Sequence, residues 1–171
     1  MAKAEGLKMT RRPLDPRNAN VAIDTNALNR GDRVYDAMVD RLLGLSAGGT
    51  IRLILPKGVR VEMLDPRTPA YIRTTAAPMM FSYAVGLNSE EQRRRRLIER
   101  ELQGNAASGK HTADADHLFE AAKYCTYFIT QDRRILTRSG RMRDLFPPSL
   151  TVLTLAECLE IFDAYEAGRR T

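Results

Sequence analysis

Val21-Ala22-Ile23 is a short unbroken apolar run that stops at the polar group Asp24-Thr25-Asn26. That is the pattern of a strand buried on both faces. Val34, Met38, Leu42 and Leu45 then recur at helical spacing until Gly48-Gly49. A second buried strand is predicted over 51–55, ended by Pro56, which suits the first turn of a helix carrying Val59, Glu62 and Met63. From 65 to 110 the pattern is helical but punctuated by Pro66, Pro69 and Pro78, and Ser89-Glu90-Glu91 marks the capped start of a charged helix. After a loop over 104–110, a helix over 112–124 leads into a third strand, 127–130, ended by Gln131-Asp132. A basic segment containing Pro147-Pro148 follows, then a fourth strand near 150–153 and a terminal helix with Leu155, Leu159 and Phe162 on one face. Strands alternating with helices predict right-handed crossovers and an α/β fold, a mostly parallel sheet covered on both sides.

Composition narrows this without changing it. The 171 residues, 43% apolar and 28% charged, suit a single globular domain over 20–171 and exclude disordered and collagen-like classes. Residues 1–19, basic and holding Pro13 and Pro16, read as a flexible arm. The net charge of +6 favours a polyanionic partner, but about half of the excess falls within residues 1–20, so the body is only mildly basic. Cys125 and Cys158 form no CxxC and no zinc spacing with His111 or His117, and read as buried core thiols of a reducing compartment. No apolar stretch is long enough to span a bilayer, so a cytoplasmic protein is expected.

The candidate chemistry lies where strands end. Ligands of open α/β sheets bind outside the carboxyl ends of the strands, and Asp24 and Asp132 close the first and third. Either acid alone is adequately explained as a turn former or helix cap. Asp114 shares a helix face with Leu118, Ala121 and Cys125, which puts an acid at the tip of a buried stripe. Asp116 lines up instead with Glu120 and Lys123 on the solvated side, where the helix dipole accounts for it. Glu62, one turn after Val59, can lean over the same sheet end as Asp24, although exposed helical glutamates are ordinary. Gathered carboxylates repel one another and need cations to stay ionised. Hard oxygen donors without His or Cys point to Mg²⁺ or Mn²⁺, ions that can activate water and neutralise charge on a phosphodiester.

The pieces Val21-Ala22-Ile23-Asp24-Thr25-Asn26, Leu55-Pro56 leading to Glu62, Asp114-Ala115-Asp116-His117-Leu118 with Ala121-Ala122, and Phe128-Ile129-Thr130-Gln131-Asp132 occur in this order over 20–155. In this order they resemble PIN-domain ribonucleases, especially VapC-type toxins of bacterial toxin–antitoxin pairs. The resemblance implies a three-layer α/β/α sandwich and a metal-dependent endoribonuclease acting on single-stranded or looped RNA. It implies catalytic, metal-binding roles for Asp24, Glu62, Asp114 and Asp132, with Asp116 at most an auxiliary ligand. Thr25, Asn26 and Thr130 would position the acids or a bound water. Mg²⁺ or Mn²⁺, a small antitoxin protein and a homodimer are implied as cofactor and partners. Two features depart from the pattern of small toxins, the long arm before Asn20 and the long stretch from 66 to 110.

Of the basic residues, Arg93–Arg96 share a helix with Glu90, Glu91, Glu99 and Glu101 and read as a solvated, ion-paired face. Arg133, Arg134, Arg138 and Arg141 follow Asp132 and are the better candidates for RNA phosphates. Other readings stay open. A housekeeping RNA-processing enzyme would use the same site. A non-catalytic RNA- or protein-binding module would use the acids only as helix caps. A phosphatase with Asp24 as nucleophile is disfavoured because Asn26 stands where a second Asp would be needed.

Overall fold

The computed structural model describes residues 13–77, 79–81, 86–107, 109–146 and 150–169. The apolar runs form the centre of a five-stranded sheet: β1 (Asn20–Ile23), β2 (Arg52–Leu55), β3 (Met80–Phe81), β4 (Tyr127–Ile129) and β5 (Thr151–Leu153), in the order β3-β2-β1-β4-β5. Every pairing is parallel, and Ala22 lies in register with Ile54 on one side and Phe128 on the other. Seven helices connect and cover the strands among the described residues: α1 (Arg33–Ala47), α2 (Lys57–Leu64), α3 (Ala70–Ala76), α4 (Ser89–Gln103), α5 (Thr112–Tyr124), α6 (Arg133–Arg138) and α7 (Leu155–Ala167).

Alternation along the strands divides the core in two. Val21, Ile23, Leu53, Leu55, Tyr127 and Ile129 pack with Val39 and Leu42 of α1 and with Leu155, Cys158, Leu159 and Phe162 of α7. Ala22, Ile54 and Phe128 point the other way, onto Ile98 and Leu102 of α4, Leu118 and Ala122 of α5, and Ile135 of α6. An α/β fold with an all-parallel sheet is therefore observed, and its two cores are compatible with a three-layer α/β/α sandwich.

Caps fix where the long helices begin. Asn88 and Glu91 form a reciprocal capping box at α4, as do Thr154 and Glu157 at α7. Asp32 accepts from the backbone N–H groups of Val34 and Tyr35 to start α1, and Gly49, at φ +71°, makes the turn after that helix. In α1 the buried face is Val39 and Leu42, whereas Val34 is 72% exposed, so the predicted stripe is correct in period but rotated at its start.

Several elements differ from the sequence expectation. β3 and α6 are absent from it because two strand residues and six helical ones, with Ile135 alone buried in α6, are too few to establish a period. The segment read as an arm is fixed in its last part. Pro16–Asn18 form a 3-10 turn, the Tyr127 and Tyr165 hydroxyls donate to Leu14 O and Pro13 O, and Arg17 pairs with Asp15 and Glu166. The two tyrosine bonds and the Arg17–Glu166 pair lie outside any local pattern, since these partners are more than a hundred residues apart in the chain. Residues 1–12, Pro78, Pro147 and Pro148 lie outside the described residues, as does the side chain of Met63. Cys125 and Cys158 are free and buried, and burial pushes both thiols up to about 12, as core thiols require. Among the described residues no helix is long and apolar enough to cross a membrane.

Candidate metal centre

The sheet order places β2 and β3 to one side of β1, and β4 and β5 to the other. The direction of winding reverses between β1 and β4, which opens a crevice at their carboxyl ends. Asp24 is the first residue beyond β1 and Thr130 the first beyond β4; Asp24 N–H donates to Ile129 O at 2.9 Å, which sets the two side by side. Thr130 Oγ1 donates to Asp24 Oδ2 (2.9 Å), a nearer and more highly charged acceptor than Asn26 Oδ1 at 3.3 Å. The same oxygen accepts from Asp132 N–H (3.0 Å), while Asn26 Oδ1 accepts from Gln131 N–H (2.9 Å). The two strand ends are thus laced together by short polar side chains.

Helices α2 and α5 bring two further groups over this point. Thr25 Oγ1 donates to Glu62 Oε2 (3.0 Å) and turns the other carboxylate oxygen towards His117, whose Nε2 lies 3.8 Å from Glu62 Oε1. His117 Nδ1 lies 4.0 Å from Asp24 Oδ1. Asp24, Glu62 and His117 each offer a ligand atom, all within 4.8 Å of one another. Two donors bonded to one divalent ion at about 2.1–2.2 Å sit at most about 4.3 Å apart, a limit that the 3.8 Å between His117 Nε2 and Glu62 Oε1 meets, while Asp24 must close by a few tenths of an ångström to join them.

The electrostatics of the group are compatible with a bound cation. Asp24 is 6% exposed, and although it precedes the 3-10 turn Thr25–Leu28 its carboxylate makes no capping bond. Burial pushes its carboxyl up to about 6; the nearby Glu62 and Asp114 carboxylates add to this, while His117 and the Thr130 hydroxyl oppose it. His117 Nε2 is buried with no hydrogen-bond partner among the described residues, a condition that ordinarily costs about 1–3 kcal/mol. Gly58 on α2 makes room for the ring, since a Cβ there would lie 2.6 Å from His117 Nε2. A buried carboxylate poised to deprotonate and an unpartnered imidazole nitrogen facing a second carboxylate fit a divalent metal ion.

The other predicted residues are placed differently. Asp114 is near enough to raise the Asp24 carboxyl, but its Oδ2 is taken by His111 Nδ1 at 2.9 Å. His111 Nε2 lies 2.6 Å from Arg134 Nη1, so the guanidinium donates to Nε2 and the proton on Nδ1 is donated to Asp114. Asp116 points to α4, where Arg95 binds it, in keeping with the solvated face expected for it. Asp132 caps α6, its Oδ1 accepting from Arg134 N–H (2.6 Å) and Ile135 N–H (3.4 Å).

On the basic side, Arg134 also donates to Leu102 O, Arg138 donates to Glu101 O, and Arg141, 77% exposed, lies 3.7 Å from Glu101. The Arg133 side chain makes no hydrogen bond or ion pair among the described residues. Arg133, Arg134 and Arg138 line an open recess of about 410 Å³ together with Gln103, Asn105 and Thr137. Arg93 and Arg94 pair with Glu90, and Arg95 with Glu99 and Asp116, which makes that run the ion-paired face expected.

His117 is the candidate ligand that the sequence reasoning did not name. Its position adds a nitrogen donor to the all-oxygen set that was expected. Its signal was present in the chain, because His117 follows Asp114 by three residues and precedes Ala121 by four, on the buried stripe of α5. Comparisons with family models, curated proteins and solved structures gave no match.

Proposed function

We propose that this chain is a metal-dependent endoribonuclease of PIN-like architecture. The observation that carries the reading is the convergence of Asp24, Glu62 and His117 at the reversal point of an all-parallel sheet, with Asp114 one step behind. Mg²⁺ or Mn²⁺ held there supplies an activated water and neutralises charge developing on a phosphodiester.

The chain's own residues prepare for that. Asp24 and Glu62 provide the negative charge that draws the ion in. Thr130 and Thr25 each hold one carboxylate oxygen by a hydrogen bond and leave the other free to bind. Asp114, oriented by the Arg134–His111 pair, adds field and can accept a proton at Oδ1. Arg133 at the recess beside α6 is free to take a backbone phosphate, which would track the RNA without reading its sequence. A regulatory toxin restrained by a small antitoxin, working as a homodimer, is the physiological setting proposed. The phosphatase alternative is weakened further, because Asn26 is committed to the Gln131 backbone.

The test is incubation of purified protein with Mn²⁺ or Mg²⁺ and a panel of structured RNAs. Internal cleavage that Asp24→Asn abolishes is the expected result. RNAs left intact under both ions, or cut equally by the Asp24→Asn variant, would overturn the proposal.

A further inference from the structure

We infer that His117 Nε2 is a direct nitrogen ligand, and that this centre therefore binds Mn²⁺ in preference to Mg²⁺. The inference rests on the metal site proposed above and names what that site selects.

Three observations carry it. The first is that the imidazole is 3% exposed and its Nε2 has no hydrogen-bond partner among the described residues, although it lies 3.8 Å from Glu62 Oε1. A buried polar atom left unpaired beside a carboxylate is what remains when a shared ion is taken away. The second is that α2 carries glycine where the ring approaches it most closely, since a Cβ at Gly58 would stand 2.6 Å from both Cδ2 and Nε2 of His117. Glycine in the first turn of α2 therefore lets this edge of the imidazole lie against the helix without a clash. The third is a contrast within the chain. His111, the other histidine, has both nitrogens occupied, by Asp114 and Arg134, and is the orienting kind.

The donor chemistry then fixes the preference. Mg²⁺ is a hard ion that takes oxygen ligands and retains its waters, whereas Mn²⁺, though it too favours oxygen and binds imidazole less tightly than the later first-row ions, accepts a nitrogen ligand more readily. A set of two carboxylates and one imidazole gives Mn²⁺ a bond that Mg²⁺ makes poorly.

Titration of metal-free protein with each ion separately is expected to give a dissociation constant for Mn²⁺ at least about tenfold below that for Mg²⁺. His117→Gln should shrink that gap to within about threefold, chiefly by weakening Mn²⁺. Electron spin-echo modulation of the Mn²⁺-loaded protein reads the ligand directly. Nitrogen modulation should appear in the parent, change from the ¹⁴N to the ¹⁵N pattern on labelling with [¹⁵N]histidine, survive His111→Gln and vanish in His117→Gln. The labelled parent answers the question even if His117→Gln folds poorly. A second variant, Gly58→Ala, should weaken Mn²⁺ without removing any donor.

Stoichiometrically bound Mn²⁺ with no nitrogen modulation, or modulation that persists in a folded His117→Gln variant, overturns the inference. Equal affinity for the two ions in the parent does the same. Nitrogen coupling in a protein that cuts no RNA would sink the nuclease reading and leave this ligand standing. RNA cleavage without nitrogen coupling would do the reverse, and failure to bind Mn²⁺ at all would end both.

Discussion

At the carboxyl end of β1 stands Asp24, and three residues past the end of neighbouring β4 stands Asp132. Both acids occupy the position before a helical turn, and both follow an apolar run. Asp132 does what its position suggests, accepting two backbone N–H groups at the start of α6. Asp24 does not: in the turn Thr25–Leu28 the Ala27 N–H is bonded to the Asp24 carbonyl, and the carboxylate makes no capping bond. Its carboxylate turns into the crevice, where burial and two neighbouring acids oppose its ionisation. A capping acid has its charge met locally by the backbone and the helix dipole. One that forgoes the cap while buried has no such compensation until a cation arrives. The difference between the two strand ends is thus one of unmet charge, and unmet charge marks the candidate centre.

Exchanging each acid for its amide should separate the two ends most sharply. Asp24→Asn keeps the size and an acceptor for Thr130 but removes the charge, so Mn²⁺ affinity should fall at least about 100-fold, more than the loss typical of outer-sphere changes. Asp132→Asn, by contrast, replaces one good cap with another and should change Mn²⁺ affinity less than about tenfold. Asp132→Ala should cost about 1 kcal/mol in denaturant unfolding. Calorimetric titration of both amide variants checks the pair. Comparable losses would show that the two acids serve one centre and that the contrast drawn between them is false.

Thr130 joins the two ends, donating to Asp24 and accepting from Asp132 N–H. Thr130→Val should therefore disturb both. Losing a donor to the ionised form raises the Asp24 carboxyl further, and Mn²⁺ affinity at pH 7 should drop about 10- to 100-fold. The stranded Asp132 N–H should cost about 1–3 kcal/mol of stability. A valine variant that bound Mn²⁺ like the parent would show that Thr130 serves the cap alone.

The raised Asp24 carboxyl makes a signed prediction about pH. Folded, it titrates near 6; unfolded, near the ordinary value of about 3.9. Between these values the folded state holds more protons, so the stability of metal-free protein should fall as pH rises from about 4 to about 6. The total loss is on the order of 3 kcal/mol. The ion needs the ionised form, so Mn²⁺ affinity should move the opposite way, dropping about tenfold for each pH unit below 6. Urea unfolding across this window, with and without Mn²⁺, checks both signs. The Asp24→Asn variant should lose the stability slope, and a parent that stayed flat would deny Asp24 its unmet charge.

Much of this could be read from the chain, and the rest failed for definable reasons. The four longer strands and the α5 helix were legible because buried parallel strands are continuous apolar runs and long helices repeat their period. The acids at strand ends were legible as candidates, but the difference between Asp24 and Asp132 was not. It depends on whether a carboxylate turns towards backbone N–H groups or away from them, which neighbours distant in the chain decide. His117 was legible in principle from its spacing to Asp114, yet a histidine on an apolar face is ordinarily read as core. What distinguishes it is that Nε2 has no hydrogen-bond partner among the described residues, a property of the packed molecule. Arg134 shows the converse, because its place in a basic run suggested phosphate binding while its guanidinium serves Leu102 O and His111.

The smallest effects should come from the arginines, and they extend the same contrast from acids to bases. Arg133 has no partner among the described residues, so its charge is available to a phosphate, whereas the charge of Arg134 is engaged inside the protein. In the Asp24→Asn background, where RNA stays intact, Arg133→Ala should weaken binding of single-stranded RNA and lower the slope of log affinity against log salt by about 0.7, the value of one phosphate contact. Arg134→Ala should leave that slope nearly unchanged. In the parent background it should instead weaken Mn²⁺ binding, because His111 loses the donor that fixes its proton on Nδ1 and Asp114 loses its orientation. Filter-binding isotherms at several salt concentrations distinguish the two. If both variants change the salt slope equally, Arg134 reaches the RNA as well, and the internal bond to His111 gives way when the nucleic acid binds.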